Sequence, residues 1–318
     1  MAGRYTSILL ILLLSGTVGC SKQGAKERGP AVPETQTALK TAHAHRAALP
    51  DTFGLSRAKL QAQIETERKR QESKARKGRV PQAAQILADV RSAVRALQNE
   101  KAQTALSRLK AAQSALKSLR ATSQRNHLLP VESSVEVLNL ASNVDSIKAA
   151  RDLAVRLVKQ GRLQEARVLL DDLVSEIRIT TVLLPPQVFA EAVKQAVRQI
   201  EKKHPAEAQR LLESALSRLE IVQQAIPLPV VVARALVGTA AGVADSSREA
   251  ALLMLKGARQ QLKLAKLLGY HVNDPRYSRL EKQIDALQMK LKLAQPVEDF
   301  FARLKKDLET FYNSFTKG

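Results

Sequence analysis

The chain has 318 residues, with 51 Lys and Arg against 30 Asp and Glu, giving a formal charge of +21. It is 45% hydrophobic but only 3% aromatic, with no Trp and a single Cys. A Leu/Ala/Val interior argues for packed helices over a β-sandwich, and one thiol excludes an internal disulfide. The length is enough for one large core or two smaller ones.

Residues 1–19 read as a signal peptide. Arg4 supplies the positive start, and Ile8–Leu14 form an apolar run far short of the ~20 residues of a membrane span. Val18-Gly19-Cys20 then resembles a lipobox, with Thr17 standing where Leu is usual. Cys20 is therefore the expected lipidation site; the alternative is plain secretion with cleavage near Gly19. Two or more acyl chains would anchor the protein stably. Ser21 after the cysteine favours the outer membrane, so the body is expected to face the periplasm as a tethered lipoprotein. Export redirects the basic charge from nucleic acid toward anionic envelope surfaces.

Residues 20–54 are expected to be a tether, broken by Pro30, Pro33 and Pro50. A basic polar helix follows over 55–80, with Leu55, Leu60 and Ile64 as its few apolar residues, so weak packing is expected. The helical core is expected over 81–269. Pro81 suits a first helical turn, and Ile86, Val90, Val94 and Leu97 fall on one face. Leu106, Leu109, Leu116 and Leu119 mark a second helix, whose outer face repeats Lys101 with Arg108 and Lys110 with Lys117, each pair seven apart.

Leu128–Leu138 alternates Val with polar residues and permits a short extended piece. Helical hairpins are expected at Ile147–Gln160 with Leu163–Thr180, turning at Gly161, and at Val188–Lys203 with Ala206–Ala225, turning at His204-Pro205. Ser246 and Ser247 are candidate caps for a helix reaching Leu268. Leu228–Val243 carries Arg234 near its middle and is too short and too polar to span a membrane.

The C-terminal amphipathic helices, over 270–318, start at Asn273-Asp274-Pro275. Tyr277, Leu280, Ile284, Leu287 and Leu291 keep coiled-coil spacing for about two heptads. The last helix carries Phe300, Phe301, Leu304, Leu308, Phe311 and Phe315. It either docks on the body or offers a face to a partner, a client protein or a membrane surface.

The chemistry of catalysis is sparse. The sequence contains no His-Glu-x-x-His, Gly-rich phosphate loop, Gly-x-Ser-x-Gly or zinc-ligand spacing. His43 and His45 lie in the tether, and His127, His204 and His271 in expected turns, where exposure is the ordinary state. Asp171 and Asp172 point different ways on a helix. No enzyme activity, cofactor or metal is expected.

Leu129-Pro130-Val131, Leu157–Arg162 leading to Glu165-Ala166, Val182–Pro185 and Ala206-Glu207-Ala208 together resemble the YfdX family of bacterial envelope proteins, over about 81–268. Pro186 departs from that pattern, and the last 50 residues lie outside it. The resemblance implies an all-helical periplasmic protein linked to stress tolerance, with no catalytic residues to carry over. The expected fold is all-α: antiparallel hairpins in a bundle, with a C-terminal helical extension.

Two functions follow as expectations. One is a tethered stress-protection protein that holds unfolding envelope proteins. The other is a helical scaffold that binds anionic glycolipid or a partner protein. The expected partners are the membrane through the lipid anchor, unfolded or partner proteins, anionic glycolipid and further copies of the chain, but no nucleic acid.

Overall fold

In the computed structural model, which describes residues 53–122, 128–139 and 144–316, eleven helices and three strands follow in chain order. Cys20, the tether, His43, His45 and His127 lie outside the described residues. The first helix, α1 (Arg57–Gly78), is capped by the Ser56 hydroxyl, which accepts from the Lys59 amide. Helix α2 (Pro81–Gln98) does begin on its proline, and α3 (Ala102–Thr122) returns beside it. Strand β1 (Leu129–Leu138) precedes a hairpin of α4 (Val144–Lys159) and α5 (Leu163–Asp172). Between them Gly161 takes φ +73°, a left-handed conformation that glycine adopts without a Cβ penalty.

Strand β2 (Glu176–Leu184) follows, then α6 (Pro186–Glu201), α7 (Pro205–Leu216) and β3 (Glu220–Pro227). Helices α8 (Leu228–Val243), α9 (Arg248–Leu267), α10 (Arg276–Lys292) and α11 (Glu298–Thr316) complete the order. The Ser247 hydroxyl caps α9 by accepting from the Ala250 amide.

The mostly helical expectation holds, and the sheet is the addition. The helices expected to reach Thr180 and Ala225 stop at Asp172 and Leu216, and their remainders are β2 and β3. Ile177, Ile179, Thr180, Thr181 and Val182 crowd five β-branched side chains into six positions, which suits a pleated strand better than a helix. The three strands are antiparallel in the order β1-β2-β3.

Strand alternation places the core on both faces of this small sheet. Ile177 and Ile179 share one face with Val135, Val137 and Ile226, while Val182 and Leu184 point to the other. In β1 the register slips between Pro130 and Glu132. That bulge lets Leu129 join Leu184 on one face while Val135 joins Ile179 on the other.

Two apolar cores result, offset along the strands. One gathers α2, α3, α6 and α7 with Leu129, Val131 and Leu184. The other gathers α1, α8, α9, α10 and α11 with Ile177, Ile179 and Ile226. A small third cluster of Leu153, Ala154, Leu157, Ala166 and Leu169 lies inside the α4–α5 hairpin. Each fully buried Leu, Ile or Phe contributes about 1.5–3 kcal/mol over exposure.

The weak packing expected for the basic helix is not what forms. Leu60 and Ile64, with Glu67 and Gln71 on the same face, are buried in the second core. Just before it, Phe53 lies on Gly257 of α9, where a Cβ would meet the Phe53 Cγ at 2.3 Å. Only glycine permits that approach. The heptad residues Tyr277, Leu280, Ile284, Leu287 and Leu291 are all buried in the same core, so their seam is filled within the chain.

Candidate functional site

Helix α8 is buried on most sides, so a charge placed within it must be paired. Arg234 is that charge. Its Nη2 lies 2.6 Å from Glu309 Oε2 on α11, and its Nη1 lies 3.6 Å from Glu67 Oε2 on α1. The guanidinium also stacks 3.9 Å from the centroid of the Tyr312 ring. Tyr312 donates its hydroxyl proton to Glu67 Oε1, and Gln71 Nε2 donates to the same oxygen at 2.7 Å.

Burial, followed by the Glu67 carboxylate, pushes the Tyr312 phenol well above its ordinary range, which keeps it a neutral donor. A cleft of roughly 450 Å³ opens beside this group, lined also by Gln63, Thr66, Thr239 and Lys305. Chemically it is a clasp: the carboxylate of Glu67 accepts from Tyr312 and Gln71 and faces Arg234. Its effect is to tie α1, α8 and α11 together.

A second clasp joins β2 to the α9–α10 connection. Tyr270 donates to Glu176 Oε2 at 2.8 Å and accepts from the Ser175 amide at 3.2 Å, while Arg178 Nε reaches Glu176 Oε1 at 2.9 Å. Burial first, then the Glu176 charge, raises the Tyr270 phenol. Tyr277 donates to the Tyr270 carbonyl at 2.7 Å, and His271 stacks on Phe315 with centroids 4.3 Å apart. His204 stays exposed, as expected for a turn. Among the described residues, no group of three His, Cys, Asp or Glu could hold a metal.

The basic stripe on α3 is only half free. Arg108 pairs with Asp89 of α2 at 3.4 Å, and Lys110 with Glu201 of α6 at 3.4 Å. Lys101 and Lys117 are exposed, with no ion pair among the described residues. The stripe therefore serves partly to fasten α3 to its neighbours.

The C-terminal helix is not a free partner or client face. Phe301, Leu304, Leu308, Phe311 and Phe315 are all buried in the second core. Phe300 is half-buried under the Lys290 ammonium, 4.4 Å from its ring centroid. The apolar stripe is filled by the body of the same chain, so docking is the outcome.

Apolar surface lies elsewhere. On the α4–α5 hairpin, Val155, Val158, Leu163, Val168 and Leu170 are exposed, Leu163 to 59%. The hairpin's inner stripe is filled by its own five-residue cluster, and Ile147 of α4 is buried as well. The signal was present in the sequence: valines and leucines occupy helical positions outside the Leu153–Leu157 stripe. Sequence reasoning missed the Arg234 clasp as well, although a lone arginine in an apolar run announces a buried partner.

These features define a mostly helical protein built around a small antiparallel sheet, with exposed apolar surface on an inserted hairpin. Residues 86–225 match the family model described as YfdX protein. That match spans α2 to β3, and most of the second core is contributed from outside it. No curated protein matches. Among solved structures, Salmonella Typhi YfdX is similar at 19% identity, covering 47% of this chain and 93% of that one, with a TM-score of 0.34. Among the described residues, no helix is long and apolar enough to cross a membrane.

Proposed function

We propose that this is a lipid-anchored protein of the bacterial envelope that holds unfolding proteins without catalysing a reaction. The observation that carries the reading is the α4–α5 hairpin, which leaves Val155, Val158, Leu163, Val168 and Leu170 in solvent. Five exposed Val and Leu side chains gathered on one hairpin, in an otherwise well-filled protein, support an interaction surface there. The high positive charge would keep loaded complexes soluble. Cys20, after its apolar leader, supports attachment at the outer membrane facing the periplasm, and the YfdX match over residues 86–225 fits a role in stress tolerance.

The test is light scattering from heated citrate synthase with and without the purified full chain, at low and high salt. Suppression at equimolar chain that persists in high salt is expected, because apolar capture is not screened. No suppression defeats the reading. Suppression lost in high salt would move the function to the scaffold reading, with binding carried by charges such as Lys101 and Lys117.

A further inference from the structure

The two edges of the sheet are treated differently. At the outer side of β1, the Val80 amide donates to the Pro130 carbonyl at 2.8 Å, α1 packs on the strand, and the register slip at Val131 kinks it. These are the ordinary means by which a protein closes an edge. The outer edge of β3 has neither such a bond nor a bulge; α8 and α11 do pack on the strand, whose buried residues are at its Ile226–Pro227 end. Apart from its ladder to β2, no backbone hydrogen bond reaches residues 220–226 among the described residues. Glu220, Ile221, Val222 and Gln223 are exposed in succession, so both faces of the strand are open there. Ile221 is exposed to 63% and Val222 to 48%, and neither Lys nor Pro interrupts the stretch before Pro227.

An open strand edge selects the conformation of whatever covers it. Its unpaired amides and carbonyls recur at every second residue, so only an extended polypeptide satisfies them in sequence. Ile221 lies opposite Val182 and Val222 opposite Thr181, so they point to opposite faces. An added strand would therefore meet an apolar β-branched side chain on each face. A second copy of this chain is the poorer occupant, since it would bring a charge of +21 against +21.

We infer that the outer edge of β3 at Glu220–Gln224 takes an extended, apolar, uncharged segment of an unfolding protein as a fourth strand. This rests on the holding function proposed above and supplies its binding mode at an element separate from the hairpin. The exposed stretch lies beyond Thr180 of β2, at the end of the sheet away from the hairpin.

The experiment compares the full chain with its Ile221→Lys/Val222→Lys variant in the citrate synthase assay, with hydrogen exchange read over 220–224. Both side chains are exposed, so the variant should fold, and unchanged circular dichroism and melting verify that. The variant is expected to need about tenfold more chain for half-suppression, equivalent to ~1.4 kcal/mol of contact. Amides in 220–224 of the wild type should gain protection when client is bound. A variant that suppresses as well as wild type, or no added protection in 220–224, overturns the strand-addition mode while leaving the holding function standing. A wild-type chain that suppresses nothing defeats the holding function and the inference with it. Protection of 220–224 in the free chain, lost together with dimer mass in the variant, overturns the inference by assigning the edge to a second copy.

Discussion

Removing one oxygen from Tyr312 is the cleanest probe of the Arg234 clasp. Tyr312→Phe keeps the ring, and with it the packing in the second core and the stacking of Arg234 at 3.9 Å. It deletes the hydroxyl that donates to Glu67. A hydrogen bond to a charged group contributes about 1.5–3 kcal/mol. Glu67 keeps Gln71 at 2.7 Å and Arg234 at 3.6 Å, so the carboxylate is not orphaned. The loss should therefore fall in the lower half of that range, about 1.5–2 kcal/mol. For a chain of this size that corresponds to a fall of roughly 3–6 °C in melting temperature. Urea titration followed by circular dichroism measures it, and combining Tyr312→Phe with Glu67→Gln in a double-mutant cycle should return a coupling of at least about 0.5 kcal/mol. A loss under about 0.5 kcal/mol with no coupling would refute the claim that the phenol is a buried donor to a carboxylate.

Other consequences of the same packing are open to measurement. Phe311 is fully buried, with its ring 4.7 Å from Tyr277 and 5.1 Å from Phe315, so Phe311→Ala should cost about 3–5 kcal/mol in denaturant titration. A loss near zero would mean that α11 does not dock. Burial holds the His271 imidazole below its usual value, against a smaller opposing pull from Asp274. The unfolded chain then takes up that proton first, so stability should fall as pH drops below the usual imidazole value of ~6.5. His271→Phe, which can keep the stack on Phe315, should lessen that slope between about pH 7 and pH 5; an identical slope contradicts the assignment. Leu163→Asp lies on the exposed hairpin tip and should shift stability by no more than about 0.5 kcal/mol by the same titration.

How much of this could be read from residues alone depends on whether the pattern was local. Ile86, Val90, Val94 and Leu97 declare their helix face by spacing, and all four are buried. Gly161 and Ser247 declared a helix end and a cap that the structure contains. The strands β2 and β3 were hidden because each continues directly from an amphipathic helix, and pairing across the sheet overrides a helical period only once the partner strand is present. The fate of the aromatic C-terminal helix was equally illegible. An apolar stripe reads the same whether a client or α8 fills it, and only long-range contact decides. Of the basic stripe, spacing located the residues but could not show that Arg108 and Lys110 meet Asp89 and Glu201 from other helices. Glu67 and Arg234 are 167 positions apart in the chain, and nothing near either residue points to the other.

The central claim is that the α4–α5 hairpin surface captures unfolding protein. Its most direct test is scattering from heated citrate synthase in the presence of the full chain and of its Val158→Asp/Leu163→Asp variant, matched for folding by circular dichroism. Suppression by the wild-type chain that the variant loses is the predicted result. Equal suppression by both would contradict the claim.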